Sequence, residues 1–117
     1  MSGAVSYHSG LQAEEVAVQH YLQQGYHLLE RRWRSAAGEI DILFRKGSAI
    51  VFVEVKKSRS FSRALLSLSN RQAERIFSSA EIFLGRFATQ LDTEARIDVA
   101  AVNHLGEIQV LENAISH

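Results

Sequence analysis

Apolar residues recur along this chain at two periods, and the switches between them lay out its elements. From Leu11 to Gln24 the positions Leu11, Ala17, Val18, Tyr21 and Leu22 follow the spacing of one helix face, and Gly25 supplies a stop. Tyr26–Arg34 reads as a strand of mixed character. Two clearer strands follow, Glu39–Phe44 and Ile50–Lys56, separated by Gly47-Ser48, a pair suited to a two-residue hairpin turn with glycine first. Ser69 with Gln72 three residues later is a capping-box start, and behind it Ala73, Ile76, Ala80, Phe83 and Leu84 form a helical stripe as far as Gly85. Ile97–Val102 reads as a buried strand and Glu107–Leu111 as a weaker one beyond the Asn103–Gly106 turn. The order helix, three strands, helix, one or two strands predicts an α/β fold, helices covering a mixed sheet.

At 117 residues the chain has room for one core, and without proline, low-complexity stretches or repeats it shows no linker. The expected organisation is a mobile N-terminus over 1–9 and a single domain over 10–117. No run approaches the ~20 apolar residues of a membrane span. Met1–Ser9 lacks the basic-then-apolar pattern of a secretory signal, and the absence of cysteine excludes disulfides and thiolate metal sites. A cytoplasmic protein without a membrane partner is the expectation.

Charge changes the picture through its distribution rather than its total. The formal net charge is zero, yet residues 31–75 hold eleven of the 13 Lys and Arg against four acids. That local excess suits a phosphate backbone, although Arg-rich solvated faces are also common.

The hairpin carries the candidate chemistry. With the turn at Gly47-Ser48, Asp41 falls opposite Glu54 and Glu39 opposite Lys56, all on one side of the sheet, with Ile40 and Ile42 on the other. Two directly opposed carboxylates sit ~5 Å apart at Cβ and repel unless something compensates. A hard cation such as Mg²⁺ compensates well, being held by one or two carboxylates plus waters and phosphate oxygens. Lys56 points the same way and could touch a metal-bound water or a phosphate, the arrangement that hydrolyses a phosphodiester. The plainer account is a set of surface ion pairs. Against it, Val51–Val55 is strongly apolar, so both faces of the sheet should be covered, and charges on a covered face need a reason. Glu14 falls on the inner stripe of the first helix and could reach this site as a ligand or outer partner; otherwise it is a partly exposed helical acid beside Glu15.

Together the blocks Ala13-Glu14-Glu15, Tyr21-Leu22, Gly25-Tyr26, Arg32-Trp33-Arg34, Gly38-Glu39-Ile40-Asp41, Phe52-Val53-Glu54-Val55-Lys56 and Arg96-Ile97-Asp98-Val99 resemble the YraN family of small bacterial proteins, from about Gly10 to Ala114. That family resembles the PD-(D/E)xK superfamily of restriction endonucleases and Holliday-junction resolvases. The resemblance implies a restriction-endonuclease-like αβββαβ core with a mixed central sheet flanked by helices. It implies Asp41 and Glu54 as ligands of Mg²⁺ or Mn²⁺, with the carbonyl of Val55 as a third. Lys56 would orient or deprotonate the attacking water and stabilise the phosphate, Glu14 would support the metal or its waters, and Gln72 would be a polar residue near the site that contacts nucleic acid. Arg32, Arg71 and Ile97 depart from residues frequent in the family, and none belongs to the acid–lysine set.

Lys57, Arg59 and Arg63, interleaved with Ser58, Ser60 and Ser62, suit phosphate contact, or else a solvated loop. Trp33 could stack on a base, but a lone tryptophan on a strand more often packs the sheet. His8, His20, His27, His104 and His117 show no ligand spacing. The expectation is therefore a metal-dependent nuclease acting on DNA, structured or branched DNA included, with a two-fold dimer as one way to cut two strands. The alternatives are a nucleic-acid-binding module with little or no turnover, and a protein-interaction domain.

Overall fold

The computed structural model describes residues 2–87 and 94–115, with side chains described from Gln12 onward. Its elements are α1 (Ser2–Gln23), β1 (His27–Arg34), β2 (Glu39–Lys46), β3 (Ala49–Lys57), α2 (Phe61–Leu66), α3 (Asn70–Phe87), β4 (Ala95–Val102) and β5 (Ile108–Leu111). The strands form one sheet in the order β1-β2-β3-β4-β5, antiparallel except for the parallel pair β3–β4. Parallel neighbours need a crossover, and α2 with α3 supplies it. The expected αβββαβ core on a mixed sheet is thus present, with α2 and β5 added.

Both faces of the sheet are covered. Ala17, Val18 and Tyr21 of α1 bury Ile42, Phe44, Val51, Val53 and Ala100 on one face. Ile76, Ala80 and Phe83 of α3 bury Ile40, Leu43, Phe52 and Ile97 on the other. The central strand β3 is therefore apolar at consecutive positions, as a strand buried on both faces must be. Trp33 meets Phe83 edge-on at 5.3 Å between ring centroids, so it packs the sheet against α3.

Local chemistry explains the element ends. Gly25 closes α1 at φ +89, a conformation that favours glycine, and the N–H of Tyr26 returns to the carbonyl of Tyr21. α1 begins at Ser2, ahead of the expected Leu11, and α3 continues through Gly85 to Phe87. The side chains of His8 and Leu11, and His117, lie outside the described residues. The short helix α2 stands in the segment that the sequence offers for phosphate contact or as a solvated loop. Ser60 starts it by accepting a hydrogen bond from the N–H of Arg63, so the Ser/Arg-rich segment after β3 is part turn, part helix. Among the described residues no helix is long and apolar enough to cross a membrane.

A buried polar network fixes α1 to the sheet. Asp98 of β4 is fully buried and accepts three hydrogen bonds: from Tyr21 Oη at 2.7 Å, Arg96 Nε at 2.9 Å and the Asn113 N–H at 3.0 Å. Arg96 also donates to Tyr26 Oη, and Tyr21 stacks on Phe44 at 4.4 Å. Burial, then the bond to Asp98, pushes the Tyr21 hydroxyl well above its ordinary pKa, so it stays a donor.

Candidate functional site

The β2–β3 hairpin keeps the expected register from Lys46↔Ala49 to Ile42↔Val53, and there the ladder stops. In place of the next pair, the Asp41 carboxylate accepts a hydrogen bond from the Val55 N–H through Oδ2 at 2.8 Å. The side chain takes the part a strand carbonyl would play, so Asp41 sits in the fork where β2 leaves β3.

The expectation that Ile40 and Ile42 share a face does not hold. Ile42 lies in the cluster under α1 and Ile40 in the cluster under α3, although residues two apart on a regular strand point the same way. β2 therefore turns over at Asp41. The neighbouring strand accommodates this at the matching level: between the pairs Arg31↔Ile42 and Trp33↔Ile40 stands Arg32, at φ +52. A non-glycine residue there costs about 1–3 kcal/mol, a strain such forks carry.

The expected Glu39–Lys56 pair also gives way. Glu39 lies 3.4 Å from Arg34, and Lys56 Nζ instead donates to Gln72 Oε1 of α3 at 2.9 Å. Once the ladder ends at Ile42, Glu39 and Lys56 are no longer cross-strand neighbours, and α3 offers Lys56 the nearer partner.

Asp41 and Glu54 line a cleft of about 300 Å³ walled by Gly38 and Glu39 on one side and Gln72, Arg75 and Ile76 on the other. Glu54 is 8% exposed, and its buried Oε2 has no hydrogen-bond partner. Burial, reinforced by the charge of Asp41 and by a side-chain hydrogen bond to it, pushes its carboxyl up to about 8, while Lys56 works the other way. Burial also raises Asp41; the Val55 N–H opposes this and the charge of Glu14 adds to it. A buried Glu54 with an oxygen unused and a half-buried Asp41, both of raised pKa, stand side by side in this cleft. Among the described residues no group of three or more His, Cys, Asp and Glu is gathered to hold a metal. Two carboxylates completed by waters and phosphate oxygens are nonetheless a set that Mg²⁺ accepts, and the orphaned Oε2 is the atom such an ion would satisfy.

The other sequence candidates lie at varying distance from this centre. Glu14 is outside the cleft lining and 3.4 Å from Arg32, reaching Asp41 through its charge alone. Lys57, Arg59 and Arg63 are exposed. Gly38 and Arg75 also line the cleft, and neither stands out as a site residue from the sequence. The one available signal for Arg75 is its place almost one helical turn after Gln72.

The model of the uncharacterised protein family UPF0102 matches residues 13–102. A UPF0102 protein of Roseobacter denitrificans is 46% identical over 115 residues, covering 98% of this chain and 89% of that protein. One from Cereibacter sphaeroides is 44% identical over 116 residues, covering 99% of both. Among solved structures there is a likeness, at TM-score 0.34 and 22% identity, to one described as "Structure of EndoMS-dsDNA2 complex"; it covers 67% of this chain and 26% of that one.

Proposed function

The chain belongs to the UPF0102 family, the YraN family, and on that premise we propose that it is a metal-dependent nuclease hydrolysing phosphodiester bonds of DNA, structured or branched DNA included. One observation carries the proposal: the buried, unpartnered Oε2 of Glu54 beside Asp41 at the floor of the cleft. Asp41 and Glu54 would hold Mg²⁺ or Mn²⁺, with the Val55 carbonyl as a further ligand. When bound, such a cation neutralises charge developing on the phosphate and lowers the pKa of a bound water.

The chain's own residues do the rest. The Val55 N–H fixes the Asp41 carboxylate in the fork. Gln72 holds Lys56 Nζ with one hydrogen bond, leaving two of its three donors for the attacking water and a non-bridging phosphate oxygen. Gln72 thus positions Lys56 from the cleft wall, where it would also meet nucleic acid. Water adds to phosphorus, the bond to the 3′-oxygen breaks, and the products are a 5′-phosphate and a 3′-hydroxyl. Glu14 acts on Asp41 only electrostatically, and Lys57, Arg59 and Arg63 would meet backbone phosphates beyond the cleft.

The test is cleavage of duplex, single-stranded, flap and four-way-junction DNA across a Mg²⁺ and Mn²⁺ titration. At least one substrate is expected to be cut, with activity reduced about 10²–10³-fold or more in Asp41→Ala, Glu54→Ala and Lys56→Ala, the scale seen on removing one preorganised charge-stabilising group. Salt-sensitive binding that persists in Glu54→Ala, with nothing cut, would replace this reading with a binding module. Neither binding nor cleavage would leave a protein-interaction domain.

A further inference from the structure

The cleft holds a guanidinium that the acids at its floor do not use. Arg75 lines the cleft together with Asp41 and Glu54, yet makes no ion pair or hydrogen bond among the described residues. An arginine beside two buried carboxylates normally forks onto one of them. Here Arg75 is exposed, and its stem passes Gly38, where an added Cβ would stand 3.7 Å from the Arg75 Cβ. Gly38 stands at φ +152 and is tied to Ser35 by backbone and side-chain hydrogen bonds, while Ser35 in turn reaches Ser79 of α3. The turn before β2 is therefore braced against α3 on the wall that carries Arg75.

The surrounding charges point the same way. α3 has no acid in its first turn, and Arg71 stands there, one helical turn before Arg75. Arg71 in the first turn opposes the helix dipole, a cost that a bound anion offsets; Glu74 stands between it and Arg75 in sequence. Opposite lies Glu54, nine-tenths buried with Oε2 unpartnered, which calls for a cation. The cleft thus has a floor that would take a cation and a wall that would take an anion.

Resting on the nuclease reading, we propose that Arg75 is the phosphate clamp of this cleft. Its guanidinium forks onto non-bridging oxygens of the phosphodiester lying over Asp41 and Glu54, with Arg71 on the next phosphate along the strand. Lys56 serves the water and one oxygen; Arg75 fixes the group that the water attacks. Its planar fork suits that task better than an ammonium.

The experiment measures binding of a fluorescein-labelled four-way DNA junction by anisotropy in Ca²⁺ over a range of salt concentrations, and cleavage of the same junction in Mg²⁺. The proteins are wild type, Arg75→Ala, Arg75→Lys and, as control, Arg86→Ala at the far end of α3, each checked for an unchanged melting curve. Arg75→Ala is expected to bind about 10- to 100-fold more weakly, the loss of a charge-assisted hydrogen-bonded contact. The slope of log K against log salt should become shallower by about 1. Arg75→Lys should keep the wild-type slope but recover affinity only in part, and Arg86→Ala should match wild type. A structural role for Arg75 would leave the slope alone. Wild-type binding with an Arg75→Ala protein of equal affinity and equal slope overturns the clamp and leaves the nuclease reading standing. A wild type that neither binds nor cuts the junction or any of the duplex, single-stranded and flap substrates overturns both.

Discussion

Glu54→Gln is expected to abolish cleavage and, at the same time, to stabilise the metal-free chain at pH 8. The second effect follows from burial. The Glu54 carboxyl titrates near 4.5 in an unfolded chain and is pushed up to about 8 in the fold. A group whose folded pKa is raised contributes stability that is fully present below the unfolded value and is lost as pH rises through the folded one. Between pH 4.5 and 8 the metal-free protein should therefore lose stability as pH rises, with Asp41 adding in the same sense. Glutamine keeps the shape and removes the charge, so Tm of the variant should be much flatter across this window and exceed wild type at pH 8. Mg²⁺ should restore wild-type Tm at pH 8 and leave the variant unmoved, because binding to the folded state alone stabilises it. Thermal scans at several pH values, with and without Mg²⁺, measure all of this; a wild-type Tm that does not fall between pH 5 and 8 would contradict the buried-carboxyl account.

Asp98→Ala is expected to cost about 3–5 kcal/mol, the scale for removing one partner of a buried ion pair. That is a large share of the ~5–15 kcal/mol that holds a domain folded. The substitution leaves the Tyr21 hydroxyl without its acceptor, a partly buried Arg96 without its anion and the Asn113 N–H unpaired. Asp98→Asn keeps the shape and one acceptor and should cost less. Urea unfolding at pH 7 checks both, and a loss below about 1 kcal/mol in Asp98→Ala would show that solvent or Glu112 takes over the role, at the scale of a single net hydrogen bond. Because none of Tyr21, Arg96, Asp98 and Asn113 lines the cleft of Asp41 and Glu54, the variant should bind Mg²⁺ like wild type while it remains folded.

Local patterns carried most of the fold. Gly25 ended α1, Gly47-Ser48 set the register of β2 and β3, and the period-two and helical stripes placed the strands and α3. What local patterns missed were the places where a side chain replaces a backbone partner. The pairing rule from the turn extends only as far as the ladder, and Asp41 ends the ladder by taking the Val55 N–H for itself. That single bond explains why Ile40 and Ile42 part company and why Glu39 never meets Lys56. Partners supplied from other elements were equally hidden: Gln72 for Lys56 lies 16 residues on, and Asp98 for Tyr21 lies 77 residues on, beyond any periodicity. The acids and the lysine of the site were legible as residues. Their buried, charge-starved state came only from the fold around them, since exposure depends on α3 and not on the hairpin.

If Asp41 and Glu54 together hold a divalent cation, as proposed, crystals of the chain grown with Mn²⁺ test it most directly, by anomalous scattering. One manganese peak bridging the Asp41 carboxylate and Glu54 Oε2 is predicted, absent from crystals of Glu54→Gln. A cleft free of manganese in the wild-type crystals, or a peak there that survives Glu54→Gln, would contradict it.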